Sequence, residues 1–359
     1  MTRRLALRFA AAFLALMATL SCSKERVRPD APGGTVTFRF ATGGLQNRAT
    51  TPGDGTVADG GGIYASAGAP DLVILIADPS TGTIVKRYDG GDPASDGELQ
   101  SLTGTEATVA FDFSTHPAGM YKVYAFGNTE GLWPMTTDGV NTLSGSDLAD
   151  PAVIADESDI LSLEFKPLAA DTAPALVDLG DPSLERLPLA AAADLEVKAG
   201  KNGQVRLELL RCVAKVTAEF INNTGSALSL TDYSYDFVGL CPDRGYVLPH
   251  DPDAPAGLNA GDLTVSEASL SIPVSGHVSE HWYVFPSTGP YTCDVSFRMG
   301  GTLHSYSDLP VTDARREDIP FLARNQHLHI VTRISQGLTV SFNFEVADWV
   351  EKSEEVQFD

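Results

Sequence analysis

Residues able to do chemistry are sparse in this chain. His277 and His281 flank Ser279, but the glutamate of a zinc-protease helix is absent and the segment alternates like a strand. His327 and His329 stand at i and i+2, on one face of a strand, and no third metal ligand accompanies them. Residues 89–98 (DGGDPASDGE) are acidic enough for calcium, yet their spacing is not that of an EF-hand and a proline interrupts them; a hairpin loop is the expectation. Residues 251–255 read the same way. No nucleophile elbow, phosphate loop or dinucleotide fingerprint occurs. The expectation is a protein without catalysis, bound metal or cofactor.

Two other residues invite covalent processing. Met1-Thr2-Arg3-Arg4 and Arg8 precede an apolar run from Phe9 to Leu20, the pattern of an export signal. It ends Ala18-Thr19-Leu20-Ser21-Cys22, which resembles a bacterial lipoprotein signal (residues 1–21) with Cys22 as the lipidated first residue; an ordinary secretory signal is the other reading. Arg48 lies in the polar loop Leu45-Gln46-Asn47-Arg48-Ala49-Thr50 and is the one basic residue between Arg39 and Lys86. Such loops are where proteases nick, and a trypsin-like protease has a single target there, the Arg48–Ala49 bond.

The elements that carry these residues read as strands. Val36, Phe38 and Phe40 share one face of residues 35–42. Further strands are expected at 71–77, 83–88, 108–113, 120–126, 160–165, 204–210, 211–220, 233–238, 279–285, 291–297, 327–334 and 338–346. Residues 313–322 allow at most one short helix, and 166–204 mix prolines with alanine-rich pieces. Strand signals spaced by about 8–12 residues, with Gly/Pro turns, indicate β-sandwiches. The 359 residues suffice for two domains, and 43% hydrophobic composition fills two cores. The net charge of −22 disfavours nucleic acid as a partner. Cys212, Cys241 and Cys293 are an odd set beyond Cys22, and their pairing cannot be read from spacing.

A near-repeat links the two ends of the chain. Thr35-Val36-Thr37-Phe38-Arg39-Phe40 is matched by Thr339-Val340-Ser341-Phe342-Asn343-Phe344. A segment of the second pattern could occupy a groove shaped for the first, through backbone hydrogen bonds and alternate side-chain pockets.

Cys22, the Asn47-Arg48-Ala49 site, Tyr121-Lys122-Val123-Tyr124-Ala125-Phe126-Gly127-Asn128, Arg211-Cys212-Val213-Ala214-Lys215-Val216 and Val346-Ala347-Asp348-Trp349 together resemble the fimbrillins, subunits of the type V fimbriae of Bacteroidales. The resemblance implies two transthyretin-like Greek-key β-sandwich domains in tandem, all-β, at 49–198 and 199–359. It implies a propeptide at 22–48 whose strand (Val36, Phe38, Phe40) an arginine-specific surface protease removes after Arg48. The vacated groove then takes a strand from the next subunit, of the same or a related chain. The partners implied are other fimbrial subunits, the protease, and the outer membrane through the lipid before processing, with a host receptor or glycan at the finished surface fimbria. Asp348 replaces the proline common before the terminal tryptophan, so the donor is bracketed at 338–359, with Val340, Phe342, Phe344, Val346, Val356 and Phe358 as its apolar set. Arg48 in the expected place argues against an anchor subunit, and the alternating tail favours a stalk subunit over a tip subunit. The competing reading is a surface lipoprotein that binds glycan or host protein without polymerising; Trp133, before Pro134 in a polar loop, is its candidate for stacking on a sugar.

Overall fold

Successive side chains of an extended backbone point to opposite faces, so an alternating sequence buries one set and solvates the other. Strand β1 (Thr35–Thr42) obeys this rule, with Val36, Phe38 and Phe40 buried. The computed structural model describes residues 31–42, 63–66, 68–103, 106–129, 135–165, 187–240, 242, 245–248, 261–313 and 316–348.

The N-terminal half continues with β2 (Leu72–Ala77), β3 (Ile84–Asp89), β4 (Gly97–Leu102), β5 (Glu106–Asp112), β6 (Gly119–Gly127), β7 (Leu189–Val197) and β8 (Gly203–Arg211). They form one eight-stranded sheet in the order β3-β2-β6-β7-β8-β1-β5-β4. Strands β7 and β8 share only the pairs Leu189–Arg211 and Ala190–Leu210. The sheet folds over at that narrow join, and its two leaves enclose a common core. Phe38, Phe40, Val109 and Phe111 enter the core from one leaf, and Ile74, Ile76, Val123 and Leu195 from the other.

The C-terminal half contains β9 (Ala214–Asn223), β10 (Leu228–Val238), β11 (Leu263–Ile272), β12 (His277–Val284), β13 (Thr292–Met299), β14 (Thr302–Pro310), β15 (Gln326–Ser335) and β16 (Thr339–Asp348). Two four-stranded sheets, β12-β9-β15-β16 and β11-β10-β13-β14, face each other across Phe220, Tyr235, Phe237, Trp282 and Ile330. The architecture is all-β, built of β-sandwiches. A further apolar cluster joins the halves, with Val73, Leu148 and Phe165 packed alongside Cys212, Val247 and Phe285.

Several local expectations give way to tertiary context. Residues 160–165 are not one strand. Helix α1 (Gly145–Ala149) is followed by α2 (Glu157–Leu161), and only Glu164–Phe165 is extended. The Asp156 side chain accepts from Ser158 and Asp159 N–H while Asp159 bonds back to the cap, so a capping box outweighs the alternation. Residues 211–220 are not continuous either, because the chain crosses between the halves at Cys212–Val213. A border at 198/199 would assign β8 to the C-terminal half, but β8 pairs with β1 and β7 in the first sheet. In place of a helix at 313–322, Asp313 N–H bonds to the Glu317 carbonyl, and Phe321–Leu322 pairs with Ser287–Thr288. The alanine-rich stretch near 190 is β7, held by a continuous antiparallel register with β6 from Leu189 to Val197.

Candidate functional site: the β1 slot and the closing strand

Strand β1 lies inside its sheet. It pairs parallel with β8, Val36 opposite Gly203 through Thr42 opposite Leu209, and antiparallel with β5, Thr35 opposite Asp112 through Ala41 opposite Glu106. Phe38 stacks on Phe40 at 5.9 Å and meets Phe111 edge-on at 5.6 Å. On the solvent face, Arg39 Nη2 donates to both Glu106 carboxylate oxygens at 2.7 and 2.6 Å. Extraction of β1 would therefore strip two backbone ladders and open an apolar trench between β8 and β5.

The pairing pattern repeats in the second half. Strand β9 is parallel to β15 and antiparallel to β12, as β1 is to β8 and β5. Strand β10 pairs with β11 and β13, as β2 pairs with β3 and β6, and β13–β14 matches β6–β7. Strand β1 thus holds in its sandwich the place of β9. Strand β16 has no counterpart in this correspondence. It is added beyond β15, where in the first half β8 adjoins β7 directly.

Strand β16 is also less committed to its core. Its apolar residues Val340, Phe342 and Val346 are half-buried and only Phe344 is buried; they sit opposite Ile334, Thr332, Leu328 and Ile330 of β15. Phe342 meets Tyr306 of β14 edge-on at 5.0 Å. The turn before β16 holds Gly337 at φ +77° and Leu338 at φ +60°, and Leu338 is 47% exposed.

Of the residues expected to carry function, Val36, Phe38 and Phe40 lie together on β1, and Val340, Phe342, Phe344 and Val346 lie together on β16, in the other sandwich. Cys22, Arg48, Ala49, Trp133, Val356 and Phe358 fall outside the described residues, as do Cys241 and Trp349. Trp282 is a core residue, 1% exposed.

The histidines are tied into the outer face of the C-terminal sheet. His327 Nε2 contacts Thr217 Oγ1 at 2.8 Å, and His329 Nε2 contacts Glu219 Oε2 at 3.0 Å. The His329 hydrogen bond holds the Glu219 carboxyl below its ordinary range despite partial burial. Among the described residues, no group of three His, Cys, Asp or Glu side chains is placed to hold a metal ion.

The acidic loop connects β3 to β4, with two of its carboxylates bound to its own backbone: Asp89 Oδ1 accepts from Gly91 N–H and Asp92 Oδ1 from Ala94 N–H, both at 2.8 Å. Beside it, a cleft of about 690 Å³ is bordered by Tyr64, Asp71, Asp89, Asp92 and Asp150. Cys212 and Cys293 are free and buried, and burial pushes the Cys212 thiol up to about 11.

Two features of the slot lie outside the expectations drawn from the sequence. The Arg39–Glu106 pair carries no local signal, because its members are brought together only by the β1–β5 register. Gly33 and Gly34 stand immediately before β1, where a Gly-Gly pair is a recognisable sign of close backbone approach.

No family model matches the chain, and no curated protein matches it. Among solved structures, the chain is similar to a fimbrial assembly protein from Parabacteroides distasonis, at 13% identity and a TM-score of 0.46, covering 89% of this chain and 99% of the other. It is also similar to a fimbrilin from Porphyromonas gingivalis, at 13% identity and a TM-score of 0.45, covering 89% and 98%.

Proposed function

We propose that this chain is a structural subunit, of the stalk kind, of a cell-surface fimbria. It is exported as a lipoprotein through Cys22, held at the outer membrane, cleaved between Arg48 and Ala49 by an arginine-specific surface protease, and polymerised by strand exchange with copies of itself or related subunits. The single observation that carries this reading is the position of β1. It is an interior strand of its sheet, and it precedes in sequence the Arg48–Ala49 bond.

Until the cut, β1 is tethered and its slot is filled, so assembly waits for the cell surface. Afterwards β1 is held only by noncovalent contacts: Val36, Phe38 and Phe40 contribute roughly 1.5–3 kcal/mol each by burial, before any ordering cost. An incoming strand of matching pattern recovers that burial, and loss of the tether makes the replacement effectively one-way. The donor in one sandwich and the slot in the other make a head-to-tail contact that does not close on itself, which yields a filament. The supernumerary topology of β16 supports its role as donor within 338–359, with Val356 and Phe358 as an extension.

Arg48→Ala tests the scheme: the variant should retain Cys22 and its lipid and remain monomeric. A chain ending at residue 337 should be processed yet fail to extend fibres. Normal fibres from either variant would refute the proposal. The cleft beside Tyr64 favours the second reading, a surface lipoprotein that binds glycan or host protein without polymerising. A surface form whose first residue is Cys22 would select that reading, and one that begins at Ala49 would select the fimbria.

A further inference from the structure

The β1 slot has one closed end. Residues 31–34 run between two loops, 113–118 and 198–202. Gly33 N–H donates to the Phe113 and His116 carbonyls at 3.1 and 2.9 Å, Ala118 N–H to Ala31 O at 2.8 Å, and Gly200 N–H to Pro32 O at 3.0 Å. Thr35 N–H donates to Asn202 Oδ1 at 3.1 Å.

This collar has no room for a side chain. A Cβ on Gly34 would stand 2.2 Å from the Lys201 carbonyl oxygen and 2.4 Å from its carbon. One on Gly33 would stand 2.6 Å from Val197 Cγ1 and 2.7 Å from Phe113 Cβ. The atoms facing Gly34 are backbone and cannot rotate away, so only glycine passes at that point.

The two similar strands differ at this position. Aligning Val340, Phe342 and Phe344 with Val36, Phe38 and Phe40 sets Leu338 over Gly34. We infer that the collar is a register stop for whatever strand takes the β1 slot, and that the segment of a second copy that fits it begins at Thr339, with Leu338 held outside. This inference rests on the strand exchange proposed above.

Three observations support that register. A shift by one residue would turn the apolar set to solvent. A shift by two would either force Val340, a strand residue, into the glycine position or carry the left-handed Gly337 and Leu338 into the slot at the places of Thr35 and Val36. In the aligned register, the left-handed residues Gly337 and Leu338 already turn the chain away just before Thr339, where the slot ends. Asn343 then takes the place of Arg39, opposite Thr108 of β5 and Arg206 of β8.

The intact chain tests the collar without any exchange. Gly34→Leu, and more mildly Gly34→Ala, should speed amide hydrogen exchange across β1 by about tenfold to a hundredfold, the range that overpacking a tight site produces. The double variant Thr37→Ser/Arg39→Asn, which gives β1 the β16 pattern, should leave that exchange within a few-fold of the parent, since both changes are on the solvent face. Parent-like exchange in Gly34→Leu overturns the register stop whether or not the protein polymerises.

The register itself is read in processed polymers by thiol cross-linking. Asn343→Cys should link to Thr108→Cys of the neighbouring subunit. Linking through Ser341→Cys or Glu345→Cys instead overturns the register and leaves strand exchange standing. Absence of polymers from a chain cut after Arg48 refutes the exchange, and this occupant with it.

Discussion

The roles assigned to β1 and β16 predict unequal costs for truncating two similar phenylalanines. Phe38 is fully buried, with aromatic partners at 5.9 and 5.6 Å. Phe342 is half-buried on an edge strand, with one aromatic partner at 5.0 Å. A fully buried Phe→Ala change costs about 3–5 kcal/mol, and two aromatic pairs, each worth roughly 0.5–1.5 kcal/mol beyond area, place Phe38→Ala in the upper part of that range. Phe342→Ala loses about half the burial and one such pair, hence about 1.5–2.5 kcal/mol. Urea unfolding of the full uncleaved chain measures both, with amide exchange of β9 following the C-terminal sandwich and that of β1 following the N-terminal one. An unchanged urea dependence would attribute any midpoint shift to stability. A Phe342→Ala cost equal to or above that of Phe38→Ala would refute the reasoning, because β16 would then be as integral to its sandwich as β1 is to the other.

Glu219, held by His329, has a folded pKa below its unfolded value, so its contribution is present above the ordinary glutamate range and is lost as pH falls through the folded value. Glu219→Gln should therefore flatten the decline in stability as pH drops from about 5 into and below the ordinary glutamate range near 4.3; an unaltered acid limb would refute the pairing. Cys212 and Cys293 are buried, and burial raises both thiols. Intact protein at pH 8 should leave both unmodified by iodoacetamide, and urea should expose both, as read by peptide mass; rapid native labelling of Cys212 would contradict the packed junction between the halves.

Alternation along the chain was enough to locate β1 and β16, because a strand half-buried on a sandwich repeats its burial every second residue, and that period is written locally. The likeness of Val36-x-Phe38-x-Phe40 to Val340-x-Phe342-x-Phe344, the solitary Arg48 and the Cys22 signal are also properties of sequence alone. Pairing partners are not. Strand β8 joins β1 across more than 160 positions, and only that pairing makes β1 an interior strand. The alanines of β7 become a strand because β6 offers a complete ladder, against their weak intrinsic preference. Residues 157–161 become a helix because Asp156 and Asp159 complete a cap. The collar at Gly33–Gly34 and the supernumerary place of β16 arise from atoms distant in sequence meeting at close range. Local periodicity sets which face of a segment is apolar; the tertiary fold decides what that face meets, because its partners are far away in sequence.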